Sequence, residues 1–287
     1  MAFIDSLIGV DGEIKLYKFD EKRFPATIFN YDCDKDSTKI CFVDLETTGL
    51  DKKEDKIIEL AVKIAVIDKR KGELINILNE YQSFEDPKKP IEEKVTRING
   101  ITNEMVKDHS IDWETVSGIL NEADIIVAHN AVFDRTFMDR YLPLSRDKIW
   151  ACSYNDIDWA NRGFNGRGQE LLCIWHGFYF DSHRAMSDVD ALIHLVTHES
   201  YVTDKPIKEL IGNATRPIYK ISANDSPYET KDALKARGYR WNGDDKYWFK
   251  IINFDEIEIE KKWNADNVYN GTFLGDIIQV LNVDKYK

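Results

Sequence analysis

Cysteine is scarce in this sequence of 287 residues, which contains only four. The spacings of Cys33, Cys41, Cys152 and Cys173 match no zinc-ligand pattern, and four cysteines are too few for a disulfide framework. Cys41 lies inside an apolar strand pattern, where it is expected to act as a small apolar residue. We therefore expect free thiols and a reducing compartment.

Long apolar runs are also missing, because no segment approaches the ~20 apolar residues that a membrane-spanning helix needs. The first residues lack a basic region and carry Asp5, Asp11 and Glu13, which argues against a secretory signal. These two observations predict a cytoplasmic protein with no membrane contact. Export through a specialised apparatus without a cleavable signal stays open.

Positively charged residues are fewer than negatively charged ones: the sequence has 39 lysines and arginines but 51 aspartates and glutamates. The formal net charge is −12. Sequence-independent adhesion to nucleic acid relies on many lysine and arginine contacts, so this balance argues against it. An enzyme that acts on nucleic acid stays open, because bound divalent cations reverse the local sign of an acidic site. The length and the 43% hydrophobic content predict a globular protein of one or two domains.

Hydrophobic periodicity divides the chain into five parts. We expect an N-terminal arm or extra strand over 1–36, a main domain over 37–203, a linker over 204–216, a small α+β module over 217–254 and an acidic tail over 255–287. The main domain starts with three apolar strands whose short connections suit antiparallel pairing, and helices then alternate with strands. This order is typical of a mixed sheet flanked by helices, an α/β architecture.

Asp44 and Glu46 stand two residues apart at the end of an apolar strand, so their side chains share one face of that strand. Two like charges at this spacing repel each other unless a cation compensates, and magnesium prefers carboxylate oxygens. A solvated strand end followed by a turn is the alternative. For an isolated pair of this kind, that alternative would be favoured.

Two later segments carry polar residues beside a predicted helix. Asp134 follows Phe133, at the edge of an apolar helix face, and an acid at such a position looks into a cleft more often than other helix aspartates do. Taken alone, an ordinary exposed helix acid or a helix cap is the alternative. His183 lies at the expected start of another helix and Asp188 about one turn inside it, a spacing that can place an imidazole near a carboxylate. Because histidine exchanges protons near neutral pH, His183 can take a proton from water.

Other polar residues of these segments receive a structural interpretation. Asp190 is rotated by roughly 200° from Asp188 around the helix axis, and we expect it to face solvent. A lone histidine is more often a structural or surface residue than a functional one. The histidines interpreted in this way are His109, His176, His194 and His198.

Three segments together carry a resemblance to a known family. FVDLETTG (42–49), HNAVFD (129–134) and HRAMSDVDA (183–191), in this order, resemble the DEDDh, or DnaQ-like, 3′–5′ exonucleases. That family includes the proofreading epsilon subunit of bacterial DNA polymerase III and exodeoxyribonuclease X. The resemblance covers residues 39–201, and it implies a ribonuclease H-like fold with a mixed sheet of about five strands and helices around it.

The resemblance also implies a mechanism. Asp44, Glu46, Asp134 and Asp188 would hold two divalent cations, Mg²⁺ or Mn²⁺, and His183 would act as the general base. The implied reaction hydrolyses a phosphodiester and releases one nucleoside 5′-monophosphate at a time from a 3′ end. The expected partner is nucleic acid with a free 3′ end, with DNA preferred. The alternatives are RNA or short oligoribonucleotides as the substrate, or an adaptor with the same fold that docks on a polymerase or another protein.

By the same resemblance, a set of residues contacts the 3′-terminal nucleotide. Leu50 would wedge against the terminal base, whereas turn chemistry alone is the alternative for Thr47 and Thr48. In RINGIT (97–102), Asn99 stands where the family often has histidine, so packing of the terminal base is expected to differ. The complete set is Thr47, Thr48, Gly49, Leu50, Asn99, Ile101, Asn130 and Phe133.

Residues 218–252 resemble the small module that follows some exodeoxyribonuclease X-like nuclease domains. The segment has seven basic and five acidic residues, with aromatic residues between them. Because aromatic faces stack on bases and cations follow the backbone, Arg240 and Trp241 are candidate contacts with nucleic acid or a partner. The alternative is that the aromatic residues form the core of the module, and Trp248 is expected to do so.

Overall fold

The structure is a computed structural model that describes residues 12–25, 27 and 35–287. Cys33 lies outside the described residues, as do the other residues of 1–11, 26 and 28–34 in the expected N-terminal arm. The chain divides into two compact units, Met1–Ala214 with Tyr286–Lys287, and Thr215–Lys285. Among the described residues, no helix is long and apolar enough to span a membrane.

The first unit contains seven strands and seven α-helices in the described part. The strands are β1 (Tyr17–Lys18), β2 (Ser37–Thr47), β3 (Ile57–Asp68), β4 (Leu74–Phe84), β5 (Ile125–Ala128), β6 (Ile149–Cys152) and β7 (Phe178–Tyr179). The helices are α1 (Glu93–Asn99), α2 (Asn103–Val106), α3 (Trp113–Glu122), α4 (Ala131–Tyr141), α5 (Gln169–Trp175), α6 (Ala185–Val196) and α7 (Pro206–Thr215).

A five-stranded mixed sheet forms the centre of this unit, with the strand order β4-β3-β2-β5-β6. Strands β2, β3 and β4 pair antiparallel, whereas β5 pairs parallel with both β2 and β6. Strand β1 pairs parallel with β7 in a separate two-stranded ribbon. The expected mixed sheet of five strands, and the antiparallel pairing of its first three, are confirmed.

Strand β2 is buried on both faces, which explains its nearly continuous apolar sequence. Ile40 and Phe42 point into the core that includes residues of α6, whereas Cys41 and Val43 point into the core that includes residues of α3 and α4. Since side chains alternate along a strand, Asp44 and Glu46 continue the face of Ile40 and Phe42. The start of α6 therefore lies over the same face as the two acids.

The described thiols are buried, and the four histidines interpreted above as structural or surface residues lie away from the acidic cleft. Cys41, Cys152 and Cys173 are free and buried. Three of the histidines join an aromatic cluster around Phe178, where the rings of His194 and Phe178 lie 4.7 Å apart. The histidines of this cluster are His176, His194 and His198. His109 is exposed.

Asp190 does not face solvent, so this expectation is wrong. The residue is only 7% exposed, and Lys63 Nζ on β3 donates to its Oδ1 at 2.5 Å. Most side chains of helix α6 are buried. Asp190 therefore faces the sheet on the side of the helix away from Asp188, and not solvent. Burial raises the pKa of Asp190 to about 6, although Lys63 opposes the shift.

The second unit is a four-stranded antiparallel sheet with the order β11-β8-β10-β9. Its elements are β8 (Ile218–Ala223), α8 (Lys231–Ala236), β9 (Arg240–Asn242), β10 (Tyr247–Asn253), α9 (Ile257–Asn267) and β11 (Ile277–Val280). A separate core joins one face of the sheet to the two helices, with Ile221, Leu234 and Ile252 fully or almost fully buried.

The domain boundaries of the structure differ from the expected ones. The stretch expected to be a linker, 204–216, contains helix α7. The stretch expected to be an acidic tail, 255–287, contributes α9 and β11 to the second unit, and β11 pairs along β8. This stretch lies against the sheet at close range. The backbone of Gly275 is so near to Ser222 that a Cβ at Gly275 would collide with the carbonyl oxygen of Ser222.

Candidate active site

Three carboxylates from two elements meet in a cleft of the first unit. Asp44 and Glu46 lie near the end of β2, and Asp188 lies in the first turn of α6. One oxygen from each side chain lies within 4.8 Å of the other two, and all three residues are half-buried. The structure therefore brings together acids that come from opposite ends of the main domain.

Asp134 lines the same cleft from the first turn of α4, but it is not a member of this three-carboxylate group. The residue is buried, and burial raises its pKa to about 7. The charges of Glu46 and Asp188 add to this shift, whereas backbone hydrogen bonds oppose it. Asp134 thus shares the electrostatic environment of the other three acids.

Burial, and then repulsion between the acids, raises the pKa values of the group. Burial raises the pKa of Asp188 to about 7, and the charge of Glu46 adds to the shift. For Asp44, burial and then the charges of Asp188 and Asp134 raise the pKa well above its ordinary value. A divalent cation would relieve this repulsion, and Mg²⁺ and Mn²⁺ prefer carboxylate oxygens. The donor set therefore fits such a cation.

His183 lines the cleft two residues before α6 begins. The residue is exposed, and its backbone φ of +63° lies in the left-handed region, which is uncommon for residues other than glycine. The backbone N–H of Arg184 donates to Asp188 Oδ2 at 3.0 Å, which ties this segment to the acid. An accessible imidazole beside carboxylates can accept a proton from a water molecule in the cleft.

A fully buried acid, Glu59 on β3, holds the segment that begins α6. Arg184 Nη2 donates to Glu59 Oε1 at 2.9 Å, and the backbone N–H of Ala185 donates to Oε2 at 3.1 Å. Gln82 on β4 donates to the same carboxylate at 2.8 Å. A negative charge at a helix N-terminus is also favoured by the helix dipole.

Sequence reasoning missed Glu59, although a signal was present. The residue interrupts the apolar alternation of KIIELAVKI (56–64), where most neighbours are fully buried. Because a buried charge is costly unless it is paired, an acid at such a position requires a partner elsewhere in the chain. Its partner, Arg184, is 125 residues away, and only the fold brings the two together.

Most of the residues expected to contact substrate line the cleft, which has a volume of about 930 Å³. Leu50 is exposed there, and Phe133 is half-buried. The cleft residues of this set are Thr47, Thr48, Gly49, Leu50, Asn99, Asn130 and Phe133. Ile101 is not among them, since it is fully buried in an apolar cluster with Ile58 and Val95.

The hydroxyl groups of Thr47 and Thr48 form the turn after β2. Thr47 Oγ1 donates to the carbonyl oxygen of Gly49 at 2.6 Å, and Thr48 Oγ1 donates to Asp55 Oδ1 at 2.7 Å. The glycine also leaves room for the Asp55 carboxylate, because a Cβ at Gly49 would lie 2.5 Å from Asp55 Oδ2. These contacts match the turn chemistry that was the alternative for the two threonines.

Asn99 contacts the acidic group directly. Its Nδ2 donates to Glu46 Oε2 at 3.1 Å, and its Oδ1 accepts from the backbone N–H of Ile101 at 3.0 Å. The hydrogen bond opposes the rise in the pKa of Glu46 that burial causes. The amide thus holds one carboxylate oxygen of Glu46 in the cleft, while Ile101 holds the amide.

Further cleft residues were not predicted from the sequence. His129 is half-buried, and its two ring nitrogens lie 2.7 Å from Ser153 Oγ and 2.8 Å from the carbonyl oxygen of Arg167. Burial lowers the pKa of His129 to about 4, so the ring is neutral and supports the wall of the cleft. The others include Lys94, Gln169, Glu170, Leu171 and Ser182.

Comparison with known proteins gives one family match. The family model RNase_T, described as an exonuclease, matches residues 41–196, which include all five of the predicted catalytic residues. Among curated relatives, DNA polymerase III PolC-type of Pediococcus pentosaceus is 36% identical over 299 aligned residues, which are 97% of this chain and 20% of the relative. The protein of the same name from Thermotoga petrophila is 33% identical over 133 residues, 45% of this chain and 8% of the relative.

Two solved structures that match part of this chain are named as exonucleases. Exonuclease X in complex with 5′ overhanging duplex DNA has 22% identity and a TM-score of 0.38, and the match covers 60% of this chain and 99% of that chain. A structure of exonuclease I has 14% identity and a TM-score of 0.49, and the match covers 80% of this chain and 67% of that chain.

Proposed function

Because the chain belongs to the RNase_T family of exonucleases, we propose that it removes nucleoside 5′-monophosphates one at a time from the 3′ end of DNA. One observation carries the proposal: Asp44, Glu46 and Asp188 gather their oxygens within 4.8 Å in a cleft of about 930 Å³. The same cleft contains an accessible histidine, His183.

Asp44, Glu46 and Asp188 would hold Mg²⁺ or Mn²⁺, with Asp134 as a further ligand from the neighbouring helix. The raised pKa values support this assignment, because burial and, to a smaller extent, neighbouring carboxylates disfavour the charged forms, and a bound cation would offset both effects. When bound, the cations supply positive charge that stabilises the reacting phosphate and lowers the pKa of a bound water molecule.

The side chains of the cleft carry out proton transfer, orientation of a metal ligand and contact with the nucleotide. His183 takes a proton from the water whose oxygen bonds to phosphorus, while the bond from phosphorus to the 3′ oxygen of the preceding nucleotide breaks. That 3′ oxygen leaves as an alcohol after it gains a proton from solvent. Asn99 orients Glu46, and Leu50 and Phe133 offer apolar contacts to the terminal nucleotide.

DNA is the proposed substrate because the matched relatives are named as DNA polymerases. The chain spans 8% and 20% of the lengths of the two relatives compared above. Because both relatives are named as polymerases, a polymerase as a physical partner is part of the proposal as well. A functional link to replication or DNA repair is part of the same proposal. RNA, with the same chemistry, is the substrate that the assay must distinguish.

The test uses matched DNA and RNA strands, each labelled at the 3′ or the 5′ end, with the purified chain and Mg²⁺ or Mn²⁺. Stepwise shortening of 5′-labelled DNA, with early loss of a 3′ label as mononucleotide, is expected. Asp44→Asn should abolish the reaction, and His183→Ala should slow it about 10²- to 10⁴-fold. Asp147→Asn, an exposed aspartate outside the cleft, is the matched control and should leave the rate unchanged.

Two outcomes would contradict the proposal. Wild-type protein that leaves every end intact with both metals would refute an exonuclease, and faster degradation of RNA than of DNA would refute the substrate assignment. A pull-down with the inactive Asp44→Asn chain, compared with Asp147→Asn, addresses a polymerase or other protein partner separately from catalysis.

A further inference from the structure

The sheet of the second unit has one covered face and one open face. Core residues Ile221 and Ile252 face helices α8 and α9. Alternation along the strands places a second set on the opposite side, where Ile251 and Ile278 are 45% and 54% exposed. We call this side the open sheet face, and its main residues are Lys220, Arg240, Tyr247, Phe249, Ile251 and Ile278.

Two aromatic rings stand side by side on the open sheet face. Tyr247 and Phe249 are two residues apart on β10, their ring centroids are 6.2 Å apart, and both residues are half-buried. Phe249 is directly opposite Arg240 on β9 in the strand register. Ring faces that are partly accessible on a rigid strand can receive unpaired bases, which stack on aromatic side chains regardless of sequence.

Two cations accompany these rings without a carboxylate partner. Lys220 Nζ donates to Tyr247 Oη at 3.1 Å, and within the described part of the chain neither Lys220 nor Arg240 forms an ion pair. On the covered side the situation is different, because Glu260 of α9 pairs with both Arg237 and Lys250.

Three acids of α9 lie on the covered side of the sheet: Glu258, Glu260 and Asp266. Glu258 and Asp266 on α9 pair with lysines of the same helix. Asp276 lies at the edge of the face, beside the start of β11, and its carboxylate accepts a hydrogen bond from Asn224 Nδ2 at 2.7 Å. The open sheet face therefore carries two cations without an ion pair among the described residues, beside two aromatic rings, whereas Arg237 and Lys250 on the covered side are paired with Glu260.

Trp241 does not belong to this surface, although the sequence placed it beside Arg240 as a candidate contact. Adjacent residues on a strand point to opposite faces, and Trp241 stands opposite Trp248 with ring centroids 5.5 Å apart. Trp248 packs against the core of the unit, as predicted. Of the two candidate contacts from the sequence, Arg240 lies on the open sheet face and Trp241 does not. The aromatic residues of that face are Tyr247 and Phe249.

We propose that the open sheet face binds single-stranded nucleic acid. Tyr247 and Phe249 stack on bases, and Lys220 and Arg240 contact phosphates. The inference rests on the proposed function in one respect, since it takes the bound strand to be the substrate of the exonuclease. Strand binding by this face does not itself need a divalent cation or the carboxylates of the cleft.

The test measures binding with the full chain carrying Asp44→Asn, in EDTA, so that no digestion occurs. The probe is a fluorescein-labelled oligodeoxythymidylate of about 30 nucleotides, longer than the ~4–16 nucleotides that one small module covers. Anisotropy is measured for Tyr247→Ala with Phe249→Ala, and for Lys220→Ala with Arg240→Ala. The matched controls are Tyr228→Ala, an exposed aromatic outside the face, and Lys261→Ala with Lys262→Ala on α9.

The aromatic pair variant should bind the probe at least about tenfold more weakly, because each stacked base contributes ~1–3 kcal/mol. For the cation pair variant, the slope of the logarithm of the association constant against the logarithm of the salt concentration should decrease in magnitude by about 1.4. The reason is that each phosphate contact on a single strand contributes about 0.7 to this slope. The controls should match the parent. If the aromatic variant does not fold, as judged by circular dichroism, the cation variant still decides the question.

Unchanged affinity and salt slope in both variants would overturn the inference, and so would controls that weaken binding equally. Self-association that is lost in the variants while strand binding persists would also overturn it, because the face would then be a protein contact. The proposed function fails separately: a chain with Asp44 intact that binds the probe through this face but degrades no strand would refute the exonuclease alone.

Discussion

At the scale of single residues, two aspartates of helix α6 differ in role because their surroundings differ. Asp188 and Asp190 are two positions apart on the same helix. Asp188 faces Asp44 and Glu46, which repel it, whereas Asp190 faces the ammonium group of Lys63. One aspartate therefore fits a cation from solution, and the other holds a cation of the protein itself.

This difference predicts opposite effects for two matched substitutions. Asp188→Asn should abolish Mn²⁺ binding and leave the free energy of unfolding unchanged or higher, because it removes repulsion. Asp190→Asn should keep Mn²⁺ binding but lower the free energy of unfolding by about 3 kcal/mol, because it leaves the buried charge of Lys63 without its closest partner. Urea denaturation and calorimetric titration check both results, and the reverse pattern would refute the assignment.

The pKa values of the cleft predict that cation binding depends on pH. Asp134 and Asp188 have pKa values of about 7, above their ordinary value, so both carry protons below that pH. Because a cation needs the deprotonated carboxylates, Mn²⁺ affinity should rise between about pH 6 and pH 8, and binding should release protons. Titration calorimetry in buffers with different ionisation enthalpies measures this release. Affinity independent of pH would contradict the pKa assignment.

At the scale of elements, three pieces of secondary structure bring the cleft residues together. The end of β2 supplies Asp44 and Glu46, and the start of α6 supplies Asp188, with His183 just before it. Strand β3 joins these two elements, because its Glu59 holds the backbone and the arginine at the start of α6. The position of α6 relative to β2 therefore depends on an acid that does not line the cleft.

Glu59 should act as a positioning residue, and Glu59→Gln tests this. The substitution keeps the size of the side chain but removes the charge that holds Arg184, so the first turn of α6 should loosen. We expect Mn²⁺ affinity to fall about 10- to 100-fold, as for other residues that orient metal ligands. Calorimetric titration measures the affinity, with Glu73→Gln on the surface as the control.

A double-substitution cycle distinguishes positioning from a general loss of stability. If Glu59 acts through Arg184, Arg184→Ala should weaken Mn²⁺ binding as well, and the two losses should not add. Additive losses, or a loss of thermal stability with unchanged Mn²⁺ affinity, would show that Glu59 is a purely structural residue.

Considered as a whole, the molecule consists of two units that each have their own hydrophobic core. The large sheet and its helices enclose the cores of the first unit, which also contains the acidic cleft. The second unit has a separate core around Ile221 and Ile252. A ligand of the cleft should therefore stabilise the unit that contains it.

Cation binding provides a test of this division. At a Mn²⁺ concentration one hundred times the dissociation constant, the free energy of unfolding of the first unit should rise by about 2.7 kcal/mol. Asp44→Asn should remove the increase. Ile221→Ala should instead lower the stability of the second unit by about 2–5 kcal/mol and leave the effect of Mn²⁺ intact. Scanning calorimetry resolves the two effects, and a Mn²⁺ effect lost in Ile221→Ala would contradict this division.

Much of the fold and the family followed from local patterns. The alternation of apolar residues predicted the strands, and the segments around Asp44, Asp134 and His183 predicted an exonuclease family that the match over 41–196 confirms. The boundaries after residue 203 did not follow, because α9 is strongly charged and β11 is short, and each is stable only against β8 and its core. The roles assigned to individual cleft residues stay predictions.

By itself, the sequence determined which side chains are available and on which face of a strand each one lies, because side-chain alternation is a local property. Asp44 and Glu46 share a face for that reason alone. Contacts between distant segments were decided only in the tertiary structure: Glu59 with Arg184, Lys63 with Asp190, and Asp188 with the two acids of β2. The physical reason is that a buried charge selects its partner by position in space, and neighbours along the chain do not reveal that position.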